Sequence, residues 1–132
     1  MSNSIYKELT ETINKAYEQG VTMQEAERLA ARTLTIRIEL TDQIKERDLD
    51  ARMKKHGVKA IKARAFVEEI VKHEKKPTES QLDAAVNLSP LVEAAELLFA
   101  ESETTKNQLE AYSDIFKDAH IFFRGVAKGQ YE

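Results

Sequence analysis

Residues 90–127 read PLVEAAELLFAESETTKNQLEAYSDIFKDAHIFFRGVA, and this stretch decides the fold class. Leu91, Ala95, Leu98, Ser102, Thr105, Leu109, Tyr112, Phe116, Ala119, Phe123 and Val126 follow one another by alternating steps of four and three. On a helix of 3.6 residues per turn that spacing keeps side chains on one face and defines a heptad seam. Phe99, Ile115 and Phe122 widen the seam, which suits a bundle or an assembly better than an isolated two-stranded coil. Ser89 is placed as the cap and Pro90 in the first turn, a favourable helix start, and the helix is expected to fray after Gly125.

Working outward, residues 23–75 contain no proline and one glycine, Gly57. Apolar residues keep helical spacing, first at Ala26, Ala30, Leu34, Leu40 and Ile44, then at Leu49, Met53, His56, Ala60, Ala63, Val67 and Ile70. The step from Ile44 to Leu49 breaks the rhythm and reads as a stutter or bend. Thr22 with Glu25 forms a capping box, and Val21 with Ala26 is placed as a hydrophobic staple. A strand pattern competes at residues 33–40, where Leu34, Ile36, Ile38 and Leu40 alternate with Thr33, Thr35, Arg37 and Glu39. Helix is preferred there, because the flanks are helical and an isolated strand has no partner, unless it joins an oligomeric sheet or barrel. Upstream, Ser4 can cap a short amphipathic helix carrying Ile5, Leu9, Ile13 and Tyr17, with Gly20 at its C-terminal cap. Between the long helices, Pro77 stops the chain, Thr78 and Gln81 form a second capping box, and Leu82 to Leu88 is a short helix.

The expectation is an all-α protein: an N-terminal helix (1–21), a long basic helix (22–76), a connector (77–89) and a long C-terminal heptad helix (90–128), forming one elongated antiparallel hairpin domain. At about 1.5 Å per residue the long helices would run roughly 75 and 55 Å, with little room for a closed core. Homo-oligomerisation through Leu98, Leu109, Tyr112, Phe116 and Phe123 is the expected remedy.

Composition agrees. The chain has 132 residues, 42% hydrophobic and 33% charged, with four Gly, two Pro and no Cys or Trp. One domain at most is expected, with no disulfides or thiolate metal sites, and a reducing compartment, the cytoplasm, follows as the default. No apolar run approaches a membrane span, and Met1 to Gly20 is too acidic for a signal peptide or an anionic lipid surface.

The net charge of −3 conceals an asymmetry. Residues 1–44 carry five basic and seven acidic side chains, residues 45–76 eleven and six, and residues 77–132 four and ten. Between Ala51 and Arg64 lie Arg52, Lys54, Lys55, Lys59, Lys62 and Arg64 with no acid among them. Such a run can track phosphates, each neutralised phosphate releasing counterions. Equally, it can be a solvated face whose lysines meet Glu93, Glu96, Glu101 and Glu103.

Catalytic signals are weak. His56, His73 and His120 are far apart and come without a ligand motif, so neither a metal nor any other cofactor is expected. There is no glycine-rich phosphate loop or nucleophile elbow, and Glu68–Glu69 and Glu93–Glu96 are acid pairs of a kind that helix surfaces carry routinely. A non-enzymatic protein is expected.

The basic helix containing Ile61-Lys62-Ala63-Arg64, a turn, and an Ala-rich second helix ending in aromatics and Arg124-Gly125-Val126-Ala127-Lys128 resembles the phage recombination mediators of the T4 UvsY type. The resemblance covers residues 23–128 as architecture. It implies a small helical oligomer in the host-cell cytoplasm that binds single-stranded DNA and helps a RecA-like recombinase replace the single-strand-binding protein. Carried residue by residue, it gives Lys62 and Arg64 to the DNA surface and assembly to the C-terminal helix. The aromatics that follow the Lys-Ala-Arg step in the family are reduced here to Phe66. The competing expectation is a helical-hairpin adaptor that binds protein only, the basic run of one copy pairing with the acidic C-terminal helix of the next.

Overall fold

A computed structural model describes residues 3–129. Four helices follow in order: α1 (Asn3–Gln19), α2 (Met23–Lys72), α3 (Glu79–Asn87) and α4 (Pro90–Ala127). The all-α expectation holds, and the described residues contain no strand. The short strand entertained at residues 33–40 is helix. Threonine is what makes the passage look strand-like, and each of its hydroxyls is satisfied within the helix. Thr33 donates to the Leu29 carbonyl at 2.9 Å, Thr35 to Ala31 at 3.1 Å and Thr41 to Arg37 at 2.9 Å. Ile36 and Leu40, four apart, turn inward, while Leu34 and Ile38 stay exposed.

Of the caps read from sequence, Gly20 and Thr78 with Gln81 form as expected, Thr22 with Glu25 forms one half of its box, and Ser4 lies within α1, which begins at Asn3. Gly20 adopts φ +77°, where a side chain would be strained, and its N–H closes on the Ala16 carbonyl at 2.9 Å. The Glu25 N–H donates to the Thr22 hydroxyl at 3.2 Å. Thr78 and Gln81 make the full reciprocal box at the start of α3, which begins three residues earlier than expected. The long basic helix ends at Lys72, four residues before the expected boundary.

The chain divides into two compact units, each taking part of α2 and part of α4. The first comprises the described residues up to Ile44 together with those from Gln108 onward. Tyr6, Ile13 and Ala16 of α1, Ala26, Ala30, Ile36 and Leu40 of α2, and Leu109, Phe116, Ala119 and Phe123 of α4 form its core. The α1 face differs from the expected Ile5, Leu9, Ile13, Tyr17 line. A strict four-residue step drifts about 40° per turn on a 3.6-residue helix, so the buried line moves to Tyr6, Ile13 and Ala16, and Ile5 and Tyr17 become exposed. Tyr6 stacks obliquely on Tyr112 and Phe116, with centroids at 5.3 and 6.1 Å, and its hydroxyl accepts from Gln43 Nε2 at 3.0 Å. Tyr17 meets Phe122 edge-on at 4.8 Å, and burial, with Asp118 nearby, raises its phenol pKa above the ordinary value.

The second unit spans Lys45–Asn107. Its buried apolar side chains are small or medium: Ala51 and Val58 of α2, Leu82 and Val86 of α3, Val92 and Ala95 of α4. Leu49, Met53, Phe66, Val67, Ile70, Val71, Leu88, Leu91, Leu97 and Leu98 of the same unit are exposed. Here the sequence reading is corrected. The expected α2 seam from Leu49 to Ile70 faces outward, because Ala51 and Val58, on the opposite side of the helix, are the residues that turn inward. On α4, Val92 is buried in place of Leu91, and from Ala95 onward the seam is inside except at exposed Leu98. No described helix is long and apolar enough to cross a membrane.

Candidate nucleic-acid interface

The six basic residues singled out between Arg52 and Arg64 do not share one face. With about 100° per residue, Arg52, Lys55, Lys59, Lys62 and Phe66 fall within an arc of roughly 80°, whereas Lys54 and Arg64 lie about 140° from Lys59. The candidate surface is therefore a row of four cations ending on an aromatic ring that is 38% exposed. Two residues apart on a helix means nearly opposite sides, so Lys62 and Arg64 cannot act together on one strand of phosphates.

Neutralisation within the chain divides the row further. Arg52 pairs with Asp48 at 3.0 Å and Lys62 with Glu96 of α4 at 2.9 Å. Off the row, Lys54 pairs with Asp50 at 3.0 Å and Arg64 with Glu68 at 3.4 Å. Lys55 and Lys59 have no carboxylate within ion-pair distance among the described residues. The Arg64–Glu68 pair and the Arg52 side of the Arg52–Asp48 pair are exposed, and exposed i,i+4 pairs contribute only tenths of a kcal/mol, whereas Lys54–Asp50 and the interhelical Lys62–Glu96 pair are half-buried.

Packing adds to the row what the sequence did not show. A shallow groove of about 170 Å³ is lined by Asp48, Ala51, Arg52, Lys55, Phe99, Glu103 and Lys106. Lys106 Nζ lies 3.5 Å from Asp48 Oδ1, so Asp48 bridges Arg52 and Lys106. Lys106 stands in a helix of net acidic character, and only the register of α4 against α2 brings it beside the row. Asp50, on the other flank of α2, accepts from the Ser102 hydroxyl at 2.5 Å and from Lys54, and its carboxyl pKa is lowered by those two bonds in that order.

The residues expected to carry assembly are placed differently from that expectation. Leu109, Phe116 and Phe123 are buried in this chain's own core, Tyr112 is half-buried against it, and Leu98 alone of the five is exposed. The physical reason is α1, which lays Tyr6, Ile13 and Ala16 on the same core and so occupies the face from within the chain. Of the histidines, His120 is buried, its Nδ1 lying 2.9 Å from the Ala30 carbonyl oxygen, and His73 Nε2 lies 2.8 Å from Glu69 Oε1. Among the described residues no three His, Cys, Asp or Glu side chains gather as a metal site.

Known proteins offer no parallel: no family model matches the chain, and no curated protein or solved structure matches it.

Proposed function

We propose that this chain is a non-enzymatic single-stranded-DNA-binding protein that acts in homologous recombination as a mediator. It would help a RecA-like recombinase onto DNA covered by single-strand-binding protein, in the cytoplasm of a phage-infected host. The observation that carries this reading is the single α2 face on which Lys55 and Lys59 are free of carboxylates and Arg52, Lys62 and exposed Phe66 complete the row. A helix presenting cations at successive turns tracks a flexible backbone, and a ring at its end can stack on a base without selecting a sequence. One row on a chain of net charge −3 binds weakly, so useful affinity requires several rows in one assembly.

A second reading is a helical adaptor that binds protein alone. It is favoured by one observation, that four of the six basic residues already have carboxylate partners in the chain. Fluorescence anisotropy of a labelled single-stranded oligonucleotide across a salt series separates the two. The mediator reading expects binding whose log affinity falls by about 0.7 per contacted phosphate for each tenfold rise in salt, and loss of that binding in Lys55→Glu/Lys59→Glu. No binding at low salt by a folded wild-type chain overturns it in favour of the adaptor.

A further inference from the structure

The second unit buries Ala51, Val58, Leu82, Val86, Val92 and Ala95 but leaves Leu49, Met53, Val67, Leu91, Leu97 and Leu98 exposed, more large apolar surface outside than a self-sufficient core leaves. The outer residues of α2 are ordered. Leu49, Met53, His56, Ala60, Ala63, Val67 and Ile70 alternate steps of four and three through three heptads, about 180° around the helix from Ala51, Val58 and Ala65. Leu49, Met53 and Val67 are 60, 65 and 58% exposed. The helix thus has two apolar faces, one used by its own chain and one unused. Gly57 borders the unused face, and open space surrounds the position a Cβ would take there.

We infer that the outward α2 seam is an interface between two copies of this chain, packed antiparallel about a two-fold axis near Val58. The seam's own composition selects a second copy. A two-fold interface must be self-complementary, and antiparallel heptad pairing here sets Met53 against Ala63, Ala60 against His56 and Val67 against Leu49. In two of these three layers a large residue meets a smaller one. Along one edge, Asp50 of each copy, held within its own chain by Ser102 and Lys54, comes level with Arg64 of the other, whose exposed pairing with Glu68 it can supplement, and the two Gly57 residues lie between them. Along the other edge, Arg52 of each copy stands level with Phe66 of the other at the outer margin of the interface. Parallel pairing instead sets Lys59 against Arg64 on both edges, a repulsion the antiparallel arrangement lacks. The antiparallel pair does place the two Lys59 ammoniums together on the axis. That draws two basic rows side by side and makes this edge the more cationic one.

The inference concerns assembly without nucleic acid, so it is tested on protein alone. Light scattering on the wild-type chain at tens of micromolar is expected to give a dimer or a multiple of it. Met53→Glu/Val67→Glu alters only exposed positions and should at least halve the mass with unchanged helical circular dichroism. A monomeric wild type, or a double variant of undiminished mass, overturns the interface and leaves the seam to a different protein. The chain has no cysteine, which permits a direct test of direction. Under mild oxidation an equimolar mixture of Leu49→Cys and Val67→Cys should yield the mixed disulfide-linked pair, and neither variant should link to itself. Self-linking of Leu49→Cys overturns the antiparallel register.

Discussion

The Ser102 hydroxyl in α4 donates to Asp50 Oδ2 in α2 at 2.5 Å, and the same oxygen lies 3.0 Å from Lys54 Nζ. Ser102 is buried in the middle of the α4 seam, so its hydroxyl requires a partner, and Asp50 reaches in to supply one. A polar pair at this layer fixes which turn of α2 lies beside which turn of α4.

The first prediction concerns pH. The Asp50 carboxyl pKa is lowered in the folded chain, chiefly by the Ser102 hydrogen bond. A depressed folded value contributes stability above the unfolded carboxylate pKa and loses it as pH falls through the folded one. Ser102→Ala should therefore raise the Asp50 titration midpoint, followed by carboxyl NMR, and lower Tm at neutral pH. The Tm gap from wild type should close as the solution is acidified below the ordinary carboxylate range. A gap constant with pH would assign the loss to packing instead.

The second concerns His120, for which the sequence suggests no role. Its Nδ1 lies 2.9 Å from the Ala30 carbonyl oxygen and 3.5 Å from the Thr33 hydroxyl. A carbonyl accepts only, so Nδ1 carries the proton and donates. His120→Ala removes that donor from a buried layer and should cost about 1–3 kcal/mol, measured as a shift in urea midpoint at constant slope. His56→Ala, at an exposed position, should stay within about 0.5 kcal/mol if measured on the dissociated chain.

Two glycines should respond with opposite sign. Gly20 sits at φ +77° as the cap of α1, and Gly20→Ala should destabilise by about 1 kcal/mol. Gly57 is interior to α2 and a Cβ there meets nothing within 4 Å in the single chain, so Gly57→Ala should stabilise the dissociated chain by roughly 0.5–1 kcal/mol. Thermal unfolding of the two variants in parallel checks the pair of signs.

The fourth separates the two sides of the basic helix. Lys59→Ala, in the middle of the row, should weaken single-strand binding and flatten its salt slope by about 0.7. Arg64→Ala, on the far side and paired with Glu68, should leave the slope unchanged. Equal losses from both would mean that the strand wraps the helix rather than following one face. Phe66→Ala should weaken binding by about 1–3 kcal/mol with the slope intact, as expected for loss of a stacked base.

Local chemistry was legible before any packing. Gly20, Thr22, Thr78 with Gln81, and Pro90 each act through their own backbone neighbourhood, and each boundary they mark lies within a few residues of where it was expected. Residues 33–40 tolerate the helix locally, since their threonine hydroxyls bond back to carbonyls one turn earlier, and burial of Ile36 and Leu40 on one side settles it. The basic run was legible as charge. Its division into a row and two outliers follows from helix geometry once the helix is granted.

Tertiary structure decided which face of each helix turns inward. Periodicity singled out Leu49–Ile70 as the inward face of α2, and nothing local showed that Ala51 and Val58 on the opposite side would be buried instead. Where α2 and α4 meet in the second unit, the small residues Ala51, Val58, Ala95 and Ser102 turn inward, while Leu49, Met53, Leu91 and Leu98 are left for solvent or a partner. Likewise α1, by covering Phe116 and Phe123, turned an expected intermolecular seam into the core of one chain. The sequence by itself determined four helices, their caps and a band of positive charge, because these depend on residues within a turn of one another. Register, the inward faces and the Lys62–Glu96 and Lys106–Asp48 pairs were decided only by packing, because they depend on residues tens of positions apart meeting at the same place.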